Sequence, residues 1–248
     1  MNVVRIKNKE SIVDSFDTNL NIIHKILTKI VYKKIENSYI IYVNVNYGNN
    51  FMNKYEQMNK LLEENNGYLF TNQIEKAGIS RTYLSKFVIE NHLEKVAKGI
   101  YISEETILDE LYVLQLCNPK IIYSGETALF LQNMIDRECL DIRVTVPPKY
   151  SQTNLREKGI LVHQEQYDIY QLGVEEKETN FGNIVRTYDK ERCICDVVKN
   201  RKKLEVQLFQ MAMKTYMRDK NKNLSKLMEY GEYLKIRDEL MKYVEVML

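Results

Sequence analysis

The residues with the most suggestive chemistry lie on one short segment, Ser80 to Asn91, and on the extended segment after it. If the apolar residues Leu84, Phe87 and Val88 face a core, a polar face with one arginine and one lysine is left for a partner. That face consists of Ser80, Arg81, Thr82, Tyr83, Ser85 and Lys86. Arginine can donate two hydrogen bonds to the acceptors of guanine, whereas threonine and tyrosine suit phosphate or a thymine methyl group. Lys95 and Lys98 suit backbone phosphates. The pattern predicts DNA binding through these residues.

The sequence lacks the usual motifs of enzymes. It contains no GxxxxGK[ST], GxSxG or HExxH motif, and its three histidines are dispersed. Ser124 next to Gly125 has no identifiable base and is better explained as a helix cap. Of the four cysteines only Cys193 and Cys195 are close together, which favours buried, reduced thiols over a zinc site. We therefore expect no catalytic residue, no metal and no cofactor.

Charge is unevenly distributed along the chain, although the net charge is only +2. Residues 186–226 carry twelve Lys or Arg against five Asp or Glu, and residues 165–178 carry five acids and one lysine. Such an excess favours a polyanion or an acidic partner, with a solvated helix face as the equal alternative. No apolar stretch is long enough to span a bilayer and the N-terminus does not resemble a secretory signal, so a cytoplasmic protein is expected.

The elements that would position the DNA-contacting residues are predicted over residues 52–103. A helix ends at Asn66-Gly67, and a short strand, Tyr68 to Phe70, follows. Thr71 is predicted to cap the next helix, Gly78 allows a tight turn, and Ser80 is predicted to cap the helix after it. Two extended segments then meet at Lys98-Gly99. This order predicts a winged helix-turn-helix, a module that also serves as a protein-docking domain.

The rest of the chain completes an α+β fold class. Residues 1–51 are predicted to form a leader with an amphipathic helix over 12–30 and a strand over 39–47, and they are compatible with an over-extended translation start. Residues 104–248 are predicted to form a mixed α/β C-terminal domain that ends in a helical bundle. Within it, Asp189 is predicted to cap a helix in which Arg192 and Asp196 are spaced to pair.

Four sequence features carry a resemblance to a known family. They are the winged-helix ending Lys98-Gly99-Ile100-Tyr101, the segment YSGETALFLQNM, the strand RVTVP at 143–147, and the motif ERCICD at 191–196 with Lys199 and Arg201 after it. In order and spacing, residues 52–248 resemble the AbiEi-type antitoxins of bacterial abortive-infection, or type IV toxin–antitoxin, systems of phage defence.

The resemblance implies two functions. The winged helix would bind inverted repeats of operator DNA upstream of its own operon and repress transcription. The C-terminal domain would neutralise a cognate nucleotidyltransferase-type toxin, either directly or through the toxin's substrate. The basic residues expected to act in this second function are Arg137, Arg143, Arg186, Arg192 and Lys199. For Arg192 an internal ion pair with Asp196 is an equal alternative.

The segment SGETALFLQNMIDRECLDIRVTV also resembles a degenerate nucleotidyltransferase. Such enzymes place a Gly-Ser or Gly-Gly opening before an Asp-x-Asp pair that holds magnesium. Here Asp141 would be the first carboxylate, but Arg143 occupies the second position and cannot hold a metal. We therefore expect an enzyme-like scaffold without catalysis. A ligand-responsive winged-helix transcription factor unrelated to a toxin is the alternative function.

Overall fold

The computed structural model describes residues 53–136 and 141–247, and before them the backbone of three strands. The contacts divide the chain into two compact units, Met1–Gln57 and Met58–Leu248. In the first unit, strands β1 (Val3–Ile6), β3 (Ser38–Asn44) and β2 (Lys29–Ile35) form an antiparallel sheet in that order. Most of the predicted leader helix falls within residues 7–28, which lie outside the described residues. The last residue of that predicted helix, Ile30, lies in strand β2.

Residues 54–102 form three helices and three strands in the predicted order. They are α1 (Lys54–Glu64), β4 (Tyr68–Phe70), α2 (Thr71–Lys76), α3 (Arg81–Glu90), β5 (Glu94–Ala97) and β6 (Ile100–Ile102). The strands pair in the order β4-β6-β5, and Met58, Leu69, Ile74 and Phe87 are fully buried beside them. Burial of apolar side chains such as these stabilises the segment.

Two predicted helix caps in this segment are wrong. Thr71 is the first residue of α2 and not its cap, because its main-chain N–H bonds to the carbonyl of Gly99 at 2.9 Å and ties it to the sheet. Ser80 does precede α3 in an extended conformation, but its hydroxyl makes no capping hydrogen bond. Ser124 likewise precedes its helix without a side-chain capping bond.

A five-stranded mixed sheet forms the centre of the second unit, in the order β10-β11-β7-β8-β9. Its strands are β7 (Ile122–Tyr123), β8 (Arg143–Val146), β9 (Leu161–Gln164), β10 (Val174–Glu178) and β11 (Ile184–Tyr188). Four short helices lie between the strands: α4 (Glu110–Cys117), α5 (Gly125–Leu131), α6 (Thr153–Glu157) and α7 (Tyr167–Gln171). The predicted strand RVTVP is thus confirmed as β8, and it is buried except at Arg143.

The last sixty residues are helical, as predicted. They form α8 (Lys190–Lys199), a 3-10 turn (Arg201–Lys203), α9 (Val206–Arg218), α10 (Leu224–Tyr233) and α11 (Arg237–Met247). Helix α8 contacts α5 on one side and all three later helices on the other, so it lies at the centre of the largest apolar core. Among the described residues, none of the helices has the length and apolarity needed to cross a bilayer.

One buried carboxylate joins residues 54–102 to the five-stranded sheet. Asp109 is 1% exposed and caps α4, with Oδ1 accepting from the Tyr112 N–H at 3.0 Å. Its Oδ2 accepts from the Thr179 hydroxyl at 2.6 Å and from the Asn183 amide at 2.9 Å. Its main-chain N–H donates to the hydroxyl of Tyr68, on β4, at 2.9 Å. The two parts are therefore linked by a satisfied buried polar network.

Replacing Asp109 tests this link. The variant Asp109→Ala leaves the buried Thr179, Asn183 and Tyr112 donors without their acceptor, and we expect the free energy of unfolding to fall by about 2 kcal/mol. Urea denaturation followed by circular dichroism measures the change. The matched control is Asp168→Ala at an exposed position of α7, where we expect a change below about 0.5 kcal/mol. Equal effects of the two substitutions would contradict the assigned role of Asp109.

Candidate functional site

The outer face of α3 is the first candidate site. Leu84 and Phe87 are buried and Val88 is half-buried, as the sequence predicts. The side chains expected to contact DNA are all exposed, as are Ile89 and Glu90 near the end of the helix; the expected contacts are Ser80, Arg81, Thr82, Tyr83, Ser85 and Lys86. The turn that presents them places Gly78 at φ +72°, a conformation that glycine adopts without strain. The helix therefore has an apolar face inward and an outward face that is polar apart from Ile89.

Arg81 is held by a surface ion pair. Its Nε lies 2.5 Å from Oε1 of Glu75 on α2, with both side chains well exposed. An exposed pair of this kind contributes at most about 1 kcal/mol, so it leaves the guanidinium available to a phosphate or a guanine. Lys95 and Lys98, on the β5–β6 hairpin, are also exposed.

The second candidate site is a cleft of about 830 Å³ in the C-terminal part of the chain. It lies between the α5–β8 region and the end of α8, and three of the five predicted basic residues line it, namely Arg143, Arg192 and Lys199. Arg137 lies outside the described residues. Arg186 does not line the cleft: its guanidinium donates to the carbonyl of Pro119, and its main-chain N–H donates to Gln115 at 2.7 Å.

The side chain of Arg143 lies beside Gly125, the first residue of α5. A Cβ on Gly125 would be 2.9 Å from Cδ of Arg143, and Gly125 has φ +56°, so only glycine fits beside this side chain. The Nη2 atom of Arg143 lies 3.2 Å from Oε1 of Glu126. Asp141, the expected first carboxylate of a metal pair, is exposed and does not line the cleft. Of these two residues, the cation Arg143 lines the cleft and the carboxylate Asp141 does not.

Arg192 is almost fully buried, and its guanidinium is bonded on several sides. Its Nε donates to Asp196 at 3.1 Å, and Nη1 donates to the carbonyls of Ile169 and Leu172 at 2.6 and 3.2 Å. The guanidinium also stacks 4.5 Å above the ring of Tyr188. The predicted Arg192–Asp196 pairing is confirmed, and the geometry makes Arg192 a support of the cleft wall.

Two carboxylates near the start of α8 bind the later helices. Asp189 caps α8, as predicted, by accepting from the Arg192 N–H at 2.7 Å, and its other oxygen accepts from Lys226 at 2.9 Å and Tyr230 at 3.0 Å. Burial and the adjacent Asp189 raise the pKa of Tyr230 to about 12. Glu191 accepts from the Tyr216 hydroxyl at 3.1 Å. The motif around residues 189–196 therefore faces inward.

The far wall of the cleft carries a second charge cluster, which sequence reasoning missed. Glu165 accepts a hydrogen bond from His163 at 3.0 Å, and its Oε1 lies 3.4 Å from Nζ of Lys199. Burial opposes ionisation of Glu165, but His163 and Lys199 outweigh it and lower the pKa of this carboxyl. Arg156 and Lys203 also line the cleft. Among these residues the sequence marks only Lys199, because α6, β9 and the 3-10 turn are brought together only by the fold.

The cysteines divide into two kinds. Cys193 and Cys195 are buried, as predicted, and burial raises the pKa of Cys195 to about 12. The prediction is wrong for Cys117, which is exposed at the last residue of α4. Cys139 lies outside the described residues. Among the described residues no group of three or more His, Cys, Asp or Glu side chains is arranged to hold a metal ion.

Comparison with known proteins confirms the resemblance to the AbiEi-type antitoxins over residues 56–103, which match the family model described as "Transcriptional regulator, AbiEi antitoxin". The description is that of a regulator, and the match spans 48 of the 248 residues. A search of curated proteins gives no match. The structure of the RV2827C protein from Mycobacterium tuberculosis is similar at 10% identity with a TM-score of 0.41, over 75% of this chain and 77% of that one. At that TM-score, we infer nothing about this chain from the similarity.

The role of Arg192 can be tested by truncation. Because Arg192→Ala leaves Asp196 and two main-chain carbonyls without their donor inside the protein, we expect it to lower the free energy of unfolding by about 3 kcal/mol. Arg156→Ala is the matched control, since Arg156 is exposed and bonds only the neutral side chain of Gln152 among the contacts that the structure records for it. Urea denaturation measures both. An Arg192→Ala protein of unchanged stability that had lost its function would instead mark Arg192 as a contact residue.

Proposed function

We propose that the protein is a cytoplasmic, non-enzymatic antitoxin of a bacterial toxin–antitoxin system that also represses its own operon. The observation that carries this proposal is the match of residues 56–103 to a family of antitoxin transcriptional regulators. It is supported by the exposed polar face of α3, which lies within the matched residues. Residues 54–102 then act as a winged helix-turn-helix, with α3 as the recognition helix and β5–β6 as the wing.

In this proposal α3 reads operator DNA in the major groove. Arg81, at its first turn, exchanges Glu75 for guanine acceptors, while Thr82 and Tyr83 contact phosphate or a thymine methyl. Lys86, Lys95 and Lys98 neutralise phosphates. Ser80 directly precedes the helix and offers its hydroxyl, which makes no capping bond, to the DNA backbone. A palindromic operator fits two copies of such a module.

The C-terminal part neutralises the toxin, which we propose to be a nucleotidyltransferase. Arg143 and Lys199 act at the cleft, and Arg192 positions its wall. The proposal that the chain itself has no such activity is supported by Arg143, which lies where a metal-binding carboxylate is needed, and by Asp141, which does not line the cleft. Arg137 and Arg186 belong to the same proposed function, with Arg186 positioned by its bonds to main-chain carbonyls.

A second candidate function is a ligand-responsive transcription factor unrelated to a toxin. The cleft favours it, because about 830 Å³ is the size of pockets that hold small molecules. In that case the link through Asp109 transmits ligand binding to the DNA-binding module.

DNA binding can be tested by substitution on the wing and on α3. We expect Lys95→Ala/Lys98→Ala to weaken binding to all DNA and to reduce the slope of log affinity against log salt by about 2, since two phosphate contacts are lost. We expect Arg81→Ala to weaken binding to the upstream inverted repeat by about tenfold with less effect on random DNA. Fluorescence anisotropy at several salt concentrations measures both.

The control for these variants is Lys60→Ala, which removes an equally exposed charge from α1 in the same module. It is expected to bind like the wild type. If the wild-type protein binds DNA and the wing and α3 variants bind it equally well, the DNA contacts another face of the protein. Absence of any binding by the wild type would reject the repressor part of the proposal.

Antitoxicity can be separated from repression in the full-length chain. We expect the neighbouring open reading frame, induced alone, to stop growth, and co-expression of an Arg81→Ala/Lys86→Ala protein to restore it while failing to repress the operon promoter. Growth curves and a promoter fusion measure the two functions. A harmless neighbour, or a toxic one that the wild-type protein does not counteract, would favour the ligand-responsive regulator.

A further inference from the structure

We propose that the cleft between β8 and the end of α8 binds a nucleotide, with a phosphate at Arg143 and the base against the apolar wall. This inference depends on neither the toxin nor the operator, because it rests only on the shape and chemistry of the cleft. Nucleotide binding at this site is compatible with an antitoxin that senses or sequesters the nucleotide, and equally with a ligand-responsive regulator.

The size and lining of the cleft fit a ligand of this class. A volume of about 830 Å³ lies within the range of small-molecule pockets and is far larger than inorganic phosphate needs. One part of the lining is apolar and suits the face of a base; it consists of Leu129, Val144, Ile160, Val162, Val197 and Leu204. The other part is cationic and suits phosphate; it consists of Arg143, Arg156, Lys199 and Lys203. The lining therefore fits a molecule with an apolar portion joined to an anion.

The Arg143 guanidinium has donor capacity left over. Its Nη2 is paired with Glu126, but its Nε is buried and has no hydrogen-bond partner among the residues that the structure describes. A buried donor without an acceptor costs free energy, and an arginine fork matches the paired oxygens of a phosphate. Gly125 keeps this side chain at the cleft, because a Cβ at that position would displace it.

The charge balance of the cleft favours an anion over a metal ion. Four acidic groups line the cleft. Glu126, Glu165 and Asp196 are paired with Arg143, with His163 and Lys199, and with Arg192, respectively, and Glu205 is exposed just before α9. Two exposed cations of the lining lie outside these pairs. Arg156 bonds the neutral side chain of Gln152, and Lys203 extends from the 3-10 turn. The lining therefore carries five Lys or Arg side chains against four acids, and three of these acids are already paired with a cation of the lining.

The experiment is calorimetric titration of the full-length protein with ATP, with a short single-stranded RNA, and with inorganic phosphate. We expect saturable binding of ATP, of the RNA, or of both, and the arm that binds identifies a free nucleotide or an RNA end as the source. Arg143→Gln should weaken that binding at least tenfold, as expected for the loss of one charge-assisted hydrogen bond. Thermal melting checks that this variant remains folded.

Two neighbouring lysines give a matched pair that does not depend on the folding of the Arg143 variant. Lys203 lines the cleft and Lys202 does not, although both are exposed on the same 3-10 turn. Lys203→Gln should weaken binding about threefold, and Lys202→Gln should leave it unchanged. Equal effects of the two lysine variants would overturn the proposal. So would a wild-type protein that binds neither ATP nor RNA, or phosphate that binds as tightly as ATP.

Discussion

The C-terminal part of this protein depends on the burial of one arginine. A guanidinium cannot lose its charge in a protein, so Arg192 can be buried only if acceptors surround it. These are supplied by Asp196, by the main-chain carbonyls of Ile169 in α7 and of Leu172 just after it, and by the face of the Tyr188 ring. Because these acceptors come from α7, β11 and α8, their geometry fixes α8 against the sheet. The cleft exists where that helix, once fixed, leaves the sheet uncovered.

The surrounding backbone is adapted to the same arginine. Gly173 has φ +77°, and a Cβ there would lie 2.7 Å from Cβ of Arg192 and 3.1 Å from the carboxylate of Asp189. The chain can therefore pass over the start of α8 only with glycine at this position. The Asp189 N–H then bonds to the Gly173 carbonyl at 2.8 Å, while its side chain caps α8 and binds Lys226 and Tyr230. One corner of the fold thus connects the sheet, α8 and α10.

The elements predictable from sequence are those whose apolar spacing is local. The order of elements over residues 54–102, the strand at 143–147 and the cap at Asp189 all follow from patterns within ten residues. The cleft was not predictable, since Arg143, Lys199 and Lys203 meet only after β8 has paired with β9 and α8 has packed on the sheet. At Thr71 a local pattern gave a wrong prediction. Threonine is a favourable helix-capping residue, but the main-chain hydrogen bond from Thr71 to Gly99 makes it the first residue of α2 instead.

In the folded protein, the charged side chains of residues 186–226 are divided between internal pairs and the surface. Four of the five acidic residues in this range form ion pairs with basic residues of the same range. Asp189 and Glu191 pair with Lys226, Asp196 pairs with Arg192, and Asp219 pairs with Lys190. Arg186 is directed to main-chain carbonyls, and Arg201 stacks on Phe209. The surplus that remains at the surface is carried by Lys199, Lys202, Lys203, Lys214, Arg218, Lys220 and Lys222. Of these, Lys199 and Lys203 line the cleft, which also has an apolar wall. A run that reads as a single basic patch along the chain therefore concentrates its chemical specificity at the cleft, where charge and shape act on the same ligand.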